Sequence, residues 1–115
     1  MIYQWQIFLA SLDPTQGSEQ AGKRPVLVIS REQFNQILPV VNVIPLTSRK
    51  VISRVIYANE VLLPAVASGL KQDSIALCYQ IRTIDKNRLE RHLTELSDLQ
   101  LRQEVLEAIR FQLEL

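Results

Sequence analysis

Apolar residues in this chain come in short blocks, Ile7–Ala10, Val26–Ile29, Val40–Leu46 and Ser74–Tyr79, each followed by polar or turn-forming residues. Only the last stretch changes rhythm: Leu101, Val105, Ala108, Ile109 and Leu113 recur at helical spacing. Runs that short are buried as strands, and 115 residues leave room for one core and not for two. The pattern therefore predicts an α+β chain, mainly β: a small curled sheet or barrel, closed by helices, in one domain over residues 1–115.

The punctuation is specific. Asp13-Pro14 starts a turn and a Gly17–Gly22 loop follows, leading to Pro25 at the opening of the second strand, where a missing amide costs least. Ser30, with Gln33 three residues on, reads as the cap of a short helix over Arg31–Leu38 that Pro39 stops. Arg49–Ser53 is a polar, basic loop, and the β-branched Val55, Ile56 and Val61 predict a strand across Arg54–Pro64. Ser68-Gly69 turns the chain. Ile81–Ile84 continues β structure, with His92–Leu96 a weaker strand, and Ser97 caps the last helix with Gln100 at its third position.

Charge is uneven although the net is only +1. Between Lys23 and Arg54 six basic residues stand against Glu32 alone, whereas from Asp85 onward seven acids oppose five bases. A basic segment on a nearly neutral chain suits a local phosphate-binding surface more than a general polyanion coat. No apolar run approaches the roughly 20 residues that span a bilayer. Cys78 is the only cysteine, which excludes an internal disulfide and a multi-cysteine zinc cluster. Without disulfides, and with no basic residue ahead of Ile7–Ala10 to suggest a leader, a cytoplasmic protein is expected.

The chemistry available is restricted. His92 is the sole histidine, so a histidine acid–base pair and a His-rich metal site are both out of reach within one chain, and a surface position is expected for it. No Gly-x-Ser-x-Gly elbow and no Asp-x-Asp pair occurs. What remains is Arg, Glu and hydroxyl groups. That set fits cleavage of RNA by its own 2′-hydroxyl, because nucleophile and leaving group both belong to the substrate. Arg keeps its charge and offers several donors to a phosphorane, a Thr hydroxyl adds another, and a Glu can polarise the attacking hydroxyl. Arg24, Thr47 and Glu19 are the candidates; composition leaves open whether they meet.

The wording of several blocks goes further. Leu12-Asp13-Pro14, Gly17-Ser18-Glu19-Gln20-Ala21-Gly22 and Arg24-Pro25-Val26-Leu27-Val28 closely resemble the MazF/PemK family of toxins. So do Phe34-Asn35, Pro45-Leu46-Thr47-Ser48, Gly69-Leu70-Lys71 with Asp73-Ser74, and Gln80-Ile81-Arg82-Thr83-Ile84-Asp85-Lys86 through Arg88-Leu89. The blocks appear in family order over nearly the whole chain.

The resemblance implies an SH3-like (PemK/CcdB-type) β-barrel with a short helix and a C-terminal helix, acting as a homodimer. It implies a sequence-specific endoribonuclease that cuts single-stranded mRNA without metal or cofactor. The products would be a 2′,3′-cyclic phosphate and a 5′-hydroxyl, and a cognate MazE-like antitoxin would block the site. By position, Arg24 matches the family's catalytic arginine, Thr47 the assisting threonine, and Glu19 the loop glutamate of catalysis or RNA positioning. Ser18, Gln20, Lys23, Ser48, Arg49, Gln80 and Arg82 are the implied RNA-binding residues, with Gln80 and Arg82 equally suited to holding a dimer together.

Three positions depart from the family pattern. Trp5-Gln6 stands where the first strand usually opens with Gly-Asp, Leu77 and Tyr79 where some relatives carry a catalytic Arg and Asp, and Ser11 where an acid is frequent. These imply an altered start to the first strand, reduced activity, and reliance on Arg24 and Thr47. Two alternatives follow. One is a weakened member that acts as an RNA- or antitoxin-binding module. The other is a gyrase-targeting CcdB-like toxin, against which the ending Phe111-Gln112-Leu113-Glu114-Leu115 speaks, since that group requires a terminal Trp-Gly-Ile.

Overall fold

Strands form where the short apolar blocks lie. In the computed structural model, which describes residues 1–115, the order is β1 (Gln6–Ser11), β2 (Lys23–Val28), helix α1 (Glu32–Asn35), β3 (Val40–Ser48), β4 (Glu60–Leu63) and α2 (Ala65–Ser68). It continues with β5 (Ser74–Leu77), β6 (Arg82–Asp85), β7 (Leu89–Glu95) and α3 (Leu99–Leu113). All pairings are antiparallel, in the order β4-β5-β3-β2-β1-β7, with β6 added on β3. The seven strands curl into the expected SH3-like shape, but no ladder joins β4 to β7, so the sheet stays open.

Because successive side chains alternate across a strand, the central strands feed two cores. Ile7, Leu27, Ile44 and Leu46 join Leu101, Val105, Ala108 and Ile109 of α3 on one face. Phe8, Val26, Val28 and Val43 join Val41 and Ile84 on the other. The helical stripe read from the sequence is the buried face of α3, except for Leu113, which is half exposed in the last turn.

Three expectations are corrected. Ser30 does not cap α1: the N-cap is Arg31, without a side-chain bond, and the helix is only Glu32–Asn35. The Ser30 hydroxyl instead accepts the Asn42 amide at 3.0 Å, while its backbone carbonyl accepts from Asn35 Nδ2 at 2.8 Å. Nor does Ser97 cap α3; Asp98 does, accepting the Leu101 amide at 2.9 Å. Only Glu60–Leu63 of the Arg54–Pro64 stretch is strand. The rest loops back because the Glu60 carboxylate is buried and must be paired. Arg54 donates to both its oxygens at 3.0 and 2.8 Å, and the Tyr57 amide adds a third bond at 3.2 Å.

The Trp5-Gln6 departure has a visible outcome. Trp5 adopts φ +65°, a left-handed conformation that suits glycine and costs any other residue roughly 1–2 kcal/mol. It is held by backbone bonds to Val28 and from Leu96, at 2.7 and 2.8 Å, and by Arg102 stacked 5.3 Å above its ring. Gln6 is buried, and its Oε1 lies 2.7 Å from His92 Nε2. His92 is exposed, as expected, with its ring edge-on to Phe8. No helix is long and apolar enough to cross a membrane.

Candidate active site

The site begins where β2 and β3 part. They pair at Val26–Pro45, Leu27–Ile44 and Val28–Val43 and no further. Pro25, with no amide to donate, stands just beyond the last pair, and from Leu46 to Ser48 β3 pairs with β5 instead. The same register carried two residues onward sets Arg24 opposite Thr47. Between these lips the strands leave a cavity of about 400 Å³, lined by both residues and by Lys23, Ser48, Lys71 and Arg91.

Its electrostatics are one-sided. Four cations, Lys23, Arg24, Lys71 and Arg91, line this cavity, and no carboxylate does. Arg24 gives only its Nε–H, to the Ala21 carbonyl at 2.9 Å, which aims the guanidinium and leaves its terminal nitrogens unpaired. The Thr47 and Ser48 hydroxyls have no hydrogen-bond partner within the chain. Lys23 meets Glu90 at 3.1 Å in an exposed pair that contributes little to stability. Clustered cations with free donors are the components of a phosphate site.

A second cleft of about 400 Å³ adjoins it, one step back along both walls. Ser18, Glu19 and Gln20 come from the β1–β2 loop, Pro45 from β3, and Tyr79, Gln80 and Arg82 from the 3₁₀ turn Cys78–Gln80 and the start of β6. Glu19 thus lies in this cleft and not in the Arg24 cavity. One of its oxygens accepts the Gln16 amide at 2.6 Å. Gln80 accepts from the Gln20 amide at 2.9 Å and donates to the Ser18 carbonyl at 3.3 Å, tying the loop to the turn.

The loop is held at its base as well. Leu12 donates to the Gly22 carbonyl, and Asp13 accepts the Gly22 amide, both at 3.0 Å. Arg82 reaches the Leu12 carbonyl at 3.5 Å, and Arg88 the carbonyls of Ser11, at 3.3 Å, and of Asp13. Arg49 is outside both clefts, its backbone amide bonded to Asp73 at 2.8 Å and its guanidinium turned to the Ile52 carbonyl. Cys78 is fully buried beneath the turn, and burial pushes its thiol up to about 12, so no thiolate is available there.

The structure therefore brings Arg24, Thr47, Lys23 and Ser48 together in one cavity and Ser18, Glu19, Gln20, Gln80 and Arg82 together in its neighbour. Sequence reasoning missed Lys71 and Arg91 as members of the first. Arg91 enters only because it is the β7 partner of Leu9 on β1. The signal for Lys71 was its place in the Gly69-Leu70-Lys71 block.

Comparison with known proteins points to one family. Residues 3–113 match the family described as PemK-like, MazF-like toxin of type II toxin-antitoxin system. Endoribonuclease MazF of Staphylococcus saprophyticus is 41% identical over 103 residues, 90% of this chain and 84% of that protein. Toxin MazF-mt6 of Mycobacterium tuberculosis superposes with a TM-score of 0.75 at 31% identity, covering 96% of this chain and 97% of that one. MazF of Deinococcus radiodurans superposes with a TM-score of 0.82 at 26% identity over 100% and 99% of the two chains. In a MazE-MazF crystal structure from the same organism the likeness is one of fold, with a TM-score of 0.73 at 22% identity over 98% and 96%. The chain belongs to the PemK-like, MazF-like toxins of type II toxin-antitoxin systems.

Proposed function

We propose that this protein is an endoribonuclease that cuts single-stranded mRNA at specific sequences, without a metal ion, and that it works as a homodimer restrained by a MazE-like antitoxin. The observation that carries the reading is the Arg24–Thr47 cavity, with four cations, free hydroxyls and no carboxylate. A backbone phosphate in that cavity has its charge met from several sides.

The reaction follows from those groups. The substrate's 2′-oxygen attacks phosphorus and gives up its proton to water, the P–O5′ bond breaks, and the 5′-oxygen takes a proton from water, so one proton is released and one consumed. The products are a 2′,3′-cyclic phosphate and a 5′-hydroxyl. Arg24 donates to the non-bridging oxygens as their charge grows, and Thr47 adds a neutral donor from the other lip. Lys23, Ser48, Lys71 and Arg91 hold the flanking backbone. Glu19 is the one carboxylate lining either cleft; it stands in the second cleft and not beside the phosphate at Arg24, and we assign it to positioning the RNA there.

The test is incubation of mixed-sequence RNA with the protein in EDTA, followed by mapping of 5′-hydroxyl ends. Cleavage at a recurring short sequence is expected, with Arg24→Ala slower by at least ~100-fold, the scale of one lost transition-state donor. Cleavage that needs magnesium, or that survives Arg24→Ala, overturns the mechanism.

A further inference from the structure

We propose that the second cleft is a nucleobase slot and that the Tyr79 ring is its stacking platform, a recognition contact resting on the RNA-cleaving reading above. Tyr79 is the one aromatic side chain lining either cleft, and it is 41% exposed there. It makes no aromatic pair and no hydrogen bond within the chain; the rings that do pair are Tyr3, Phe8 and His92. An aromatic face left open in a polar cleft is what an unstacked base of single-stranded RNA needs.

The turn that carries the ring is held before any ligand arrives. Tyr79 sits in the 3₁₀ turn Cys78–Gln80, between a fully buried Cys78 and a Gln80 whose carboxamide is bonded twice to the facing loop. The same two bonds set the opposite wall, Ser18–Gln20. Stacking on a ring whose backbone turn is already held lowers the ordering cost of binding.

Position supports the assignment. From Pro45 in the slot to Thr47 in the cationic cavity is two residues of β3, about 7 Å along a strand. A strand of RNA with one phosphate at Arg24 therefore has a neighbouring base within reach of Tyr79.

The experiment is a double-substitution cycle read by binding. Wild-type, Tyr79→Phe, Tyr79→Leu and Tyr79→Ala proteins are titrated by fluorescence anisotropy with an RNA made uncleavable by a 2′-deoxy at the mapped scissile nucleotide. The series includes RNAs with one abasic position at a time around that site. Each variant is checked for an unchanged melting temperature, expected for so exposed a side chain. Tyr79→Ala and Tyr79→Leu should bind about tenfold more weakly, with Tyr79→Phe near wild type. One abasic RNA should lose about the same factor with wild type and nothing further with Tyr79→Ala.

Equal binding by Tyr79→Leu and Tyr79→Phe, or losses that multiply at every abasic position, overturns the proposal. Where no cleavage is found, the unmodified RNA is the probe and the abasic position is scanned along it, so failure of cleavage with an intact cycle overturns only the RNA-cleaving reading. If cleavage is found but cannot be mapped to one site, the 2′-deoxy is scanned together with the abasic position.

Discussion

Gly69 offers the sharpest test of the packing, because two separable effects meet there. It ends α2 at φ +81°, and a Cβ built on it would lie 2.5 Å from Thr94 Oγ1 on β7. Replacing it with alanine first imposes the left-handed backbone on a residue with a side chain, at about 1 kcal/mol. The contact adds a second cost. Thr94 Cβ and Cγ2 would sit at 3.5 and 3.6 Å, ordinary distances, so rotating the Thr94 hydroxyl away relieves most of the clash for about 1 kcal/mol. The sum is about 2 kcal/mol, or about 10 °C in melting temperature for a domain of this size. Urea unfolding of wild type, Gly69→Ala, Thr94→Ala and the double variant separates the terms. The double variant should recover about 1 kcal/mol, since only the contact term depends on Thr94. Strict additivity would refute the clash, and a neutral Gly69→Ala would refute the backbone argument as well. Gly69 also lines the Arg24 cavity, so RNA affinity is expected to fall with stability.

Two further outcomes follow. Glu60→Gln should destabilise by about 2 kcal/mol at pH 7, allowing for the partial exposure of Arg54. Arg54 beside it holds the Glu60 carboxyl below the usual carboxylate range, so the folded state favours the charged form. That stability is present above the unfolded-state value near ~4.3 and is lost as pH falls through the lower folded-state value. The gap between wild type and Glu60→Gln should therefore close below about pH 4; a gap constant from pH 7 to pH 3 in urea titrations refutes the pairing. Separately, Asp98→Ala should cost about 1 kcal/mol by removing the α3 cap, whereas Ser97→Ala should cost much less. Equal losses in thermal unfolding would return the cap to Ser97.

Much of this was legible locally. Strands β1, β2, β3 and β5 lie on the apolar blocks, and α3 buries the stripe that its spacing announced, because each signal depends on a few neighbours in sequence. Two of the three misreadings share one cause. Ser30 looks like a cap but serves Asn42, from β3; Arg54–Asn59 looks extended but turns back to meet Glu60. In both, a distant polar partner outweighs local propensity. The candidate site divides the same way. Arg24 and Thr47 could be named from their blocks, while the cation wall that Arg91 completes, and the separation of Glu19 into another cleft, depend on strand register that one sequence does not display.

The bonds that secure the β1–β2 loop carry a consequence for the order in which the chain is made. Gln80, Arg82 and Arg88 hold a loop that is translated at Leu12–Gly22, and β1 finds its outer partner only in Leu89–Glu95. A nascent chain has Arg24 and Thr47 early but nothing to fix the wall beside them. The cleft assembles when the last third of the protein emerges from the ribosome. A chain built this way lacks a fixed wall beside Arg24 until Gln80, Arg82, Arg88 and the β7 partner of β1 have been made.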